Sequence, residues 1–228
     1  MKTFFWDAEI ELDMEEMIKF EQFLALFMEK NSQINLSAIR DEDDIIEKHF
    51  IDSIYTNVFV DFHWKVLDLW TGWGFPLIPL AITNPDVDFT WVDSVAKKMR
   101  AVNEFIEELW LSNAKTVIDR AEVLWQDPNY REQYDFVISR ATAYLPTLLE
   151  YAIPLLKVGW TFIAYKLDDK EEIKSAKKAL SRLSATIEVV KNYNIQWQAR
   201  TLIFIKKDAP TQKKYPRHTG TPLKEPIK

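Results

Sequence analysis

Apolar side chains recur at helical spacing through residues 12–33 (Met14, Met17, Ile18, Phe20, Phe23, Leu24, Leu26, Phe27), and a second such pattern runs from Asp41 to Tyr55. Intervals of three and four place these residues on one face of a helix, so the pattern predicts a helical N-terminal region over residues 1–60. Beyond it the period changes. Short apolar runs at 65–69, 88–93, 115–118, 136–139 and 161–166 alternate with helical patterns at 78–82, 96–109, 145–155 and 170–183. Strands that alternate with helices imply a mostly parallel sheet covered on both faces. Two further strands, 186–193 and 201–206, have no long helix between them and are expected to pair antiparallel at one edge. The reading is an α/β core over residues 61–207 followed by a tail over 208–228, the whole forming one structural domain. The charged stretch 168–178 reads as a solvated helix face.

The first strand, Val66-Leu67-Asp68-Leu69, runs into Trp70-Thr71-Gly72-Trp73-Gly74-Phe75-Pro76, the first strand-to-helix turn of the α/β unit. A ligand at such a turn lies over the carboxyl ends of the strands, against the backbone N–H groups of the helix start. Glycine belongs there because a Cβ obstructs both the left-handed turn and the close approach of a ligand. Only Gly72 and Gly74 meet that need. The second strand ends in Trp91-Val92-Asp93-Ser94, where an acid can accept hydrogen bonds from a ribose, although Asp93 or Ser94 could equally cap the following helix. The third unit ends at Asp119-Arg120-Ala121-Glu122, where backbone and carboxylate could hold an adenine edge or Glu122 could be a plain surface acid. The fourth strand closes on Ser139-Arg140-Ala141. Enzymes that methylate exocyclic amines on this fold carry Asn/Asp-Pro-Pro-Tyr there, so its absence argues for a substrate atom that needs no such help.

Composition removes several classes. The chain has no cysteine and three dispersed histidines, His49, His63 and His218, so disulfides, thiolate metal sites and a cysteine nucleophile are excluded and a histidine metal cluster is disfavoured. No apolar run approaches the roughly 20 residues of a membrane span, and the acidic start does not suit a secretory signal, so a cytoplasmic location is expected. The net charge of −6 hides an asymmetry: from Lys206 onward seven basic and two acidic residues give +5, which leaves −11 on residues 1–205. A basic tail on an acidic body is the footprint of a nucleic-acid contact or a solvated end. Its prolines and Tyr215 suggest order.

The set Asn35-Leu36-Ser37-Ala38-Ile39-Arg40, His49-Phe50-Ile51-Asp52-Ser53, the 66–81 loop with Gly74-Phe75-Pro76, Asp93-Ser94 followed by Lys97-Lys98, Ser139-Arg140-Ala141, and the closing Tyr215-Pro216-Arg217-His218-Thr219-Gly220-Thr221-Pro222 resembles the bacterial small-subunit ribosomal RNA (guanine-N7) methyltransferase family, glucose-inhibited division protein B. The resemblance covers about residues 30–228. It implies a Rossmann-like S-adenosylmethionine-dependent methyltransferase with a mostly parallel seven-stranded sheet. It also implies a cofactor held by Trp70, Gly72, Gly74 and Phe75, by Asp93 at the ribose, by Ala121 and Glu122 at the adenine, and by Arg140 at the mouth. The implied partner is small-subunit ribosomal RNA or an assembling small ribosomal subunit. Guanine N7 has an exposed lone pair and no proton to lose, so no catalytic base and no metal are expected and the rate should come from in-line alignment. Arg140, Lys97, Lys166 and Arg200 are the candidate guanine or phosphate contacts. The alternative reading is a non-catalytic RNA-binding or assembly homologue with a blocked cofactor pocket. A dinucleotide oxidoreductase is disfavoured, because the loop leads into Phe75-Pro76 rather than a third glycine and helix.

The ratio of tryptophan to glycine is the sharpest anomaly. Nine Trp accompany four Gly in 228 residues, whereas an average chain of this length has about a dozen more glycines. Trp64, Trp70, Trp73, Trp91, Trp110 and Trp160 fall where glycine is expected, and the identity of Trp125 and Trp197 is open in the same way. A UGA codon that the host reads as glycine accounts for the pattern. The residues as written are expected to crowd the methionine end of the cofactor pocket.

Overall fold

The computed structural model describes the chain except Thr71, Arg120, Ala141, Thr142, Asp168, Asp169 and Lys228, and gives no side-chain environment for Ala121 and Glu122. The N-terminal region consists of α1 (Lys2–Asp7), α2 (Met14–Ile34), and α3 (Glu42–Ile45), which continues through a π-helical segment (Ile46–Ile51) into α4 (Asp52–Ile54). Asp13 and Glu16 start α2 with a reciprocal capping box, each side chain accepting from the other's backbone N–H at 2.8 Å. That arrangement satisfies two of the orphan donors of the first turn. The sequence predicts one helix over 41–55; the π turn inside it is the structure's addition. It widens the helix where Lys48 and His49 sit, just ahead of Asp52, and such bulges are common at functional sites.

The α/β core follows as β1 (Lys65–Leu69), α5 (Leu77–Thr83), β2 (Asp88–Asp93), α6 (Ala96–Glu108), β3 (Ala114–Ile118), α7 (Ala121–Leu124), β4 (Tyr134–Ser139), α8 (Leu145–Ala152), β5 (Leu156–Lys166), α9 (Lys170–Leu183), β6 (Ala185–Ile195), β7 (Gln198–Lys207) and α10 (Thr221–Lys224). The strands form one seven-stranded sheet in the order β3-β2-β1-β4-β5-β7-β6. The first five are parallel, and β7 runs antiparallel to both β5 and β6. The expected architecture and antiparallel edge are therefore present. Several boundaries differ. Helix α8 gives way at Ile153–Leu155 to a 3₁₀ turn around Pro154, since proline supplies no N–H to an α-helical ladder. Strand β5 begins five residues before the expected 161, and β6 and β7 extend to a hairpin whose flanking pair is Ile195 and Gln198.

Alternation along the strands divides the core between the two faces. Val66, Phe89, Trp91, Phe136, Ile138 and Ile163 pack with the N-terminal helices, α5 and α6. Leu67, Leu69, Val92, Val137 and Phe162 pack with α8, α9, Tyr215 and Ile227. The tail is thus ordered against the second core. Arg217 forks onto the fully buried Glu150, with Nε to Oε1 at 2.9 Å and Nη2 to Oε2 at 2.7 Å. The charge of Arg217 is spent on folding the tail, while Lys213 and Lys214 are exposed. No helix among the described residues is long and apolar enough to cross a membrane.

The chain leaves β1 toward β2 and β3 and later returns on the other side as β4. The crevice at the carboxyl ends of β1 and β4 is therefore the topological switch point, where open α/β sheets bind ligands. Trp70 follows one of these strands and Arg140 the other.

Candidate active site

The cradle after β1 is built by backbone geometry. Trp70 (φ 62°), Gly72 (φ 65°) and Gly74 (φ 101°) all lie in the left-handed region, and the Trp70 N–H donates to Val92 O at 3.1 Å. A Cβ on Gly74 would stand 2.6 Å from Ile78 Cδ1, so that glycine serves the packing of α5. A Cβ on Gly72 would meet nothing within 4 Å, so its freedom is spent on the turn itself. The loop borders a cavity of about 190 Å³ whose lining includes Trp70, Gly72, Trp73, Phe75, His49, Arg140 and Ser37.

Asp93 is buried at the end of β2. Its Oδ1 accepts from the Val95 N–H at 2.9 Å and its Oδ2 lies 4.0 Å from Lys98 Nζ. The N-cap of α6 is Val95, which makes no side-chain cap, so Asp93 closes a local turn and does not cap the helix. Ala121 opens α7 behind β3, in the expected place, but the Glu122 side chain lies outside the described residues. Lys97 is exposed on α6 and lines neither this cavity nor the larger one. Its neighbour Lys98 reaches the loop instead, 5.8 Å from the Trp73 ring centre.

Arg140 is the hub. It donates through Nη1 to Asp52 Oδ2 at 3.2 Å and to Lys48 O at 3.3 Å, and Nη2 lies 3.0 Å from His49 Nδ1. A guanidinium has only donors, so Nδ1 must be bare and the ring proton sits on Nε2, which donates to Ser37 Oγ at 3.0 Å. Burial and then the Arg140 charge hold the His49 pKa down, from 6.5 to about 3. The ring stacks on Phe75 at 4.6 Å and 16°, and Phe75 in turn packs on Phe23 and Phe27 of α2. An aromatic chain from the N-terminal helices thereby fixes the imidazole that orients Arg140.

On the other side of Arg140 and His49 lies a cavity of about 690 Å³, whose lining includes Lys48, Asp52, Lys166, Glu172, Tyr193 and Arg200. Asp52 is its buried acid. Besides Arg140 it accepts from the Tyr193 hydroxyl at 2.8 Å and lies 3.5 Å from Arg200 Nε. Burial, and then the Asp52 charge, raise the Tyr193 pKa, so that phenol stays a donor. Lys166 Nζ pairs with Glu172 Oε2 at 2.8 Å and donates to Ala143 O at 2.6 Å. Three of the four candidate substrate contacts, Arg140, Lys166 and Arg200, thus share one cavity. Glu172 corrects the reading of 168–178 as a merely solvated face, because it also accepts from the Leu145 N–H at 2.7 Å and anchors α8 beside the site. Sequence reasoning gave no role to His49, Asp52 or Tyr193. The first two stand in the His49-Phe50-Ile51-Asp52-Ser53 motif, which was the available signal; Tyr193 carried none. No group of His, Cys, Asp or Glu that could hold a metal occurs among the described residues.

The model of the family described as GidB, rRNA small subunit methyltransferase G, matches residues 16–202. The chain belongs to that family. It is 42% identical over 221 residues to ribosomal RNA small subunit methyltransferase G of Acetivibrio thermocellus, covering 96% of this chain and 91% of the relative. It is likewise 42% identical to the protein of that name from Deinococcus radiodurans, over 92% of this chain and 85% of the relative. Among solved structures it is similar to a putative O-methyltransferase from Klebsiella pneumoniae (TM-score 0.60, 13% identity, 89% and 94% of the two chains). A SAM-dependent methyltransferase from Aquifex aeolicus is also similar (TM-score 0.57, 14% identity, 78% and 98%). At such identities these structures show a shared fold, the Rossmann-like one expected.

Proposed function

We propose that the chain transfers a methyl group from S-adenosylmethionine to N7 of a guanine in cytoplasmic small-subunit ribosomal RNA, free or within an assembling subunit. The observation that carries the reading is the pair of cavities sharing Arg140 and His49 as a wall, in a chain of the methyltransferase G family. The cradle side holds the groups suited to the cofactor: the Gly72–Gly74 backbone, Asp93 for the ribose hydroxyls, and the start of α7 for the adenine. The larger side presents Lys48, Lys166, Arg200 and Arg140 to a polyanion.

The polar groups suit this chemistry. His49 has both ring nitrogens engaged and is held neutral, so it is no proton acceptor, and methylation at N7 requires none. The room on the cradle side is the exception. The part of the cradle bounded by Trp70, Trp73, Phe75, His49 and Arg140 holds about 190 Å³, and the two indoles narrow it. Asp93 and the start of α7 lie outside that lining, so the narrowing concerns one end of the cofactor's path and not its whole site. The second reading, an RNA-binding homologue without catalysis, is not favoured by a chain of the methyltransferase G family. Mapping N7-methylguanine in ribosomal RNA from cells with and without the gene tests the function: loss of one methylated guanine is expected, and an unchanged map rejects it. Calorimetry with S-adenosylmethionine separates the two readings.

A further inference from the structure

We propose that glycine, not tryptophan, occupies positions 64, 70 and 110 of the protein made in its own cell, through decoding of UGA as glycine, and that this substitution is what opens the cofactor cradle. The backbone carries the argument. Only a few per cent of non-glycine residues adopt positive φ, and for a bulky residue it is a true outlier. Here three of the nine tryptophans do so: Trp64 at 59°, Trp70 at 62° and Trp110 at 52°. All four glycines of the chain share that region, as do Glu9, Asn35, Glu132, Ser184 and Gln196, none of them aromatic or β-branched, so the three tryptophans are its bulky outliers.

Position 110 shows the demand in its clearest form. Helix α6 ends in two bonds, Trp110 N–H to Glu107 O at 3.1 Å and Leu111 N–H to Ile106 O at 3.0 Å. With Leu109 as C-cap, this is the Schellman pattern, whose left-handed residue is usually glycine. Leu111 and Ile106 supply the accompanying buried apolar pair. The indole contributes almost nothing in return, since Trp110 is 85% exposed. Trp64 is 60% exposed at the turn into β1, where its carbonyl accepts from the Asp88 N–H at 2.7 Å. Trp70 is the functional member: its indole lies edge-on to Tyr151 at 4.7 Å and forms a wall of the 190 Å³ cavity.

The structure also limits the idea. Trp91 and Trp125 are fully buried, and the Trp125 Nε1–H donates to Tyr151 O at 2.7 Å. Trp73, Trp160 and Trp197 are not at positive φ. The proposal is therefore made for 64, 70 and 110 alone.

Four measurements test it. The codons at 64, 70 and 110 are expected to be UGA, and UGG at any of them overturns the proposal for that position. Mass spectrometry of the peptides from protein purified from its own cells should read glycine at all three; tryptophan at 70 ends the idea. In the full chain as written, Trp110→Gly should raise Tm by about 2–4 °C, the shift for relief of about 1 kcal/mol of left-handed strain in a chain of this size. A lower Tm would mean that the indole is wanted there. Trp70→Gly should strengthen S-adenosylmethionine binding at least tenfold. This arm alone rests on the methyl-transfer reading. Glycine found at 70 without cofactor binding would reject that reading and leave the decoding proposal standing, whereas tryptophan at 70 with tight binding would do the reverse.

Discussion

The two cavities that meet at Arg140 and His49 are built by opposite means. The cradle behind Trp70 is shaped by backbone: left-handed residues, one buried acid, and a loop whose Gly74 leaves no room for a Cβ beside Ile78. The larger cavity is shaped by side chains drawn from the π turn, α4, the ends of β4 to β7, and α9, with Arg140, Tyr193 and Arg200 tied to Asp52 and Lys166 tied to Glu172. A backbone site is constrained by residue type wherever φ is positive, as at Gly72, or a Cβ is crowded, as at Gly74, but it survives loss of surrounding charge. A site made of charged side chains behaves in the reverse way, since each ion is stabilised by the others.

Asp52→Ala should have the largest effect, because it leaves the Arg140 guanidinium and the Tyr193 hydroxyl without their shared acceptor. Removing one partner of a buried pair costs about 3–5 kcal/mol, and with Asp52 buried and Arg140 only 21% exposed the lower end is expected. Denaturant unfolding measures it; a loss below about 1 kcal/mol would mean that the network is not holding the wall.

Asp93→Ala probes the other side. In the Trp70→Gly background it should weaken S-adenosylmethionine by about 1–3 kcal/mol, the scale of hydrogen bonds to a charged group, while RNA affinity stays constant. Equal losses for both ligands would show that the two cavities are one site energetically.

His49 gives a pH test of the shared wall. Its folded pKa of about 3 lies below the ordinary 6.5, so the unfolded chain binds the proton first as pH falls. The stability of the neutral, buried ring is complete above pH 6.5 and declines between 6.5 and 3, by up to about 1.4 kcal/mol per pH unit. His49→Gln should flatten that part of the stability profile relative to the parent. An identical slope in the two proteins removes His49 as its source.

The smallest effect belongs to the charges facing the large cavity. Lys166→Ala and Arg200→Ala should each weaken RNA binding by about 1 kcal/mol and reduce its salt dependence, with cofactor affinity unchanged. If the salt slope instead responds only to Lys213→Ala and Lys214→Ala, the RNA lies on the tail and not over this cavity.

Local pattern was enough for much of this molecule. Periodicity located the strands and most helices, because burial of one face demands a fixed spacing, and the β1 loop announced its cradle, because glycine's missing Cβ is a local property. Asp93 could be placed at a strand end but not distinguished from a helix cap until its bond to Val95 was seen. Lys97 and Lys98 could not be told apart, since one residue along a helix turns the side chain by about 100°.

What the sequence determined by itself is the α/β order of elements, the position of the first turn and the conflict of tryptophan with that turn. These follow from short-range sterics and from hydrophobic spacing. Only the tertiary structure decided that His49, Asp52, Arg140, Tyr193 and Arg200 form one network, that Glu172 belongs to the site, and that Arg217 folds the tail onto Glu150 instead of facing solvent. Those pairings join residues far apart in the chain, Asp52 and Tyr193 by 141 positions and Asp52 and Arg200 by more. Their energy depends on burial and on the direction of each donor, neither of which is written in the spacing of the chain.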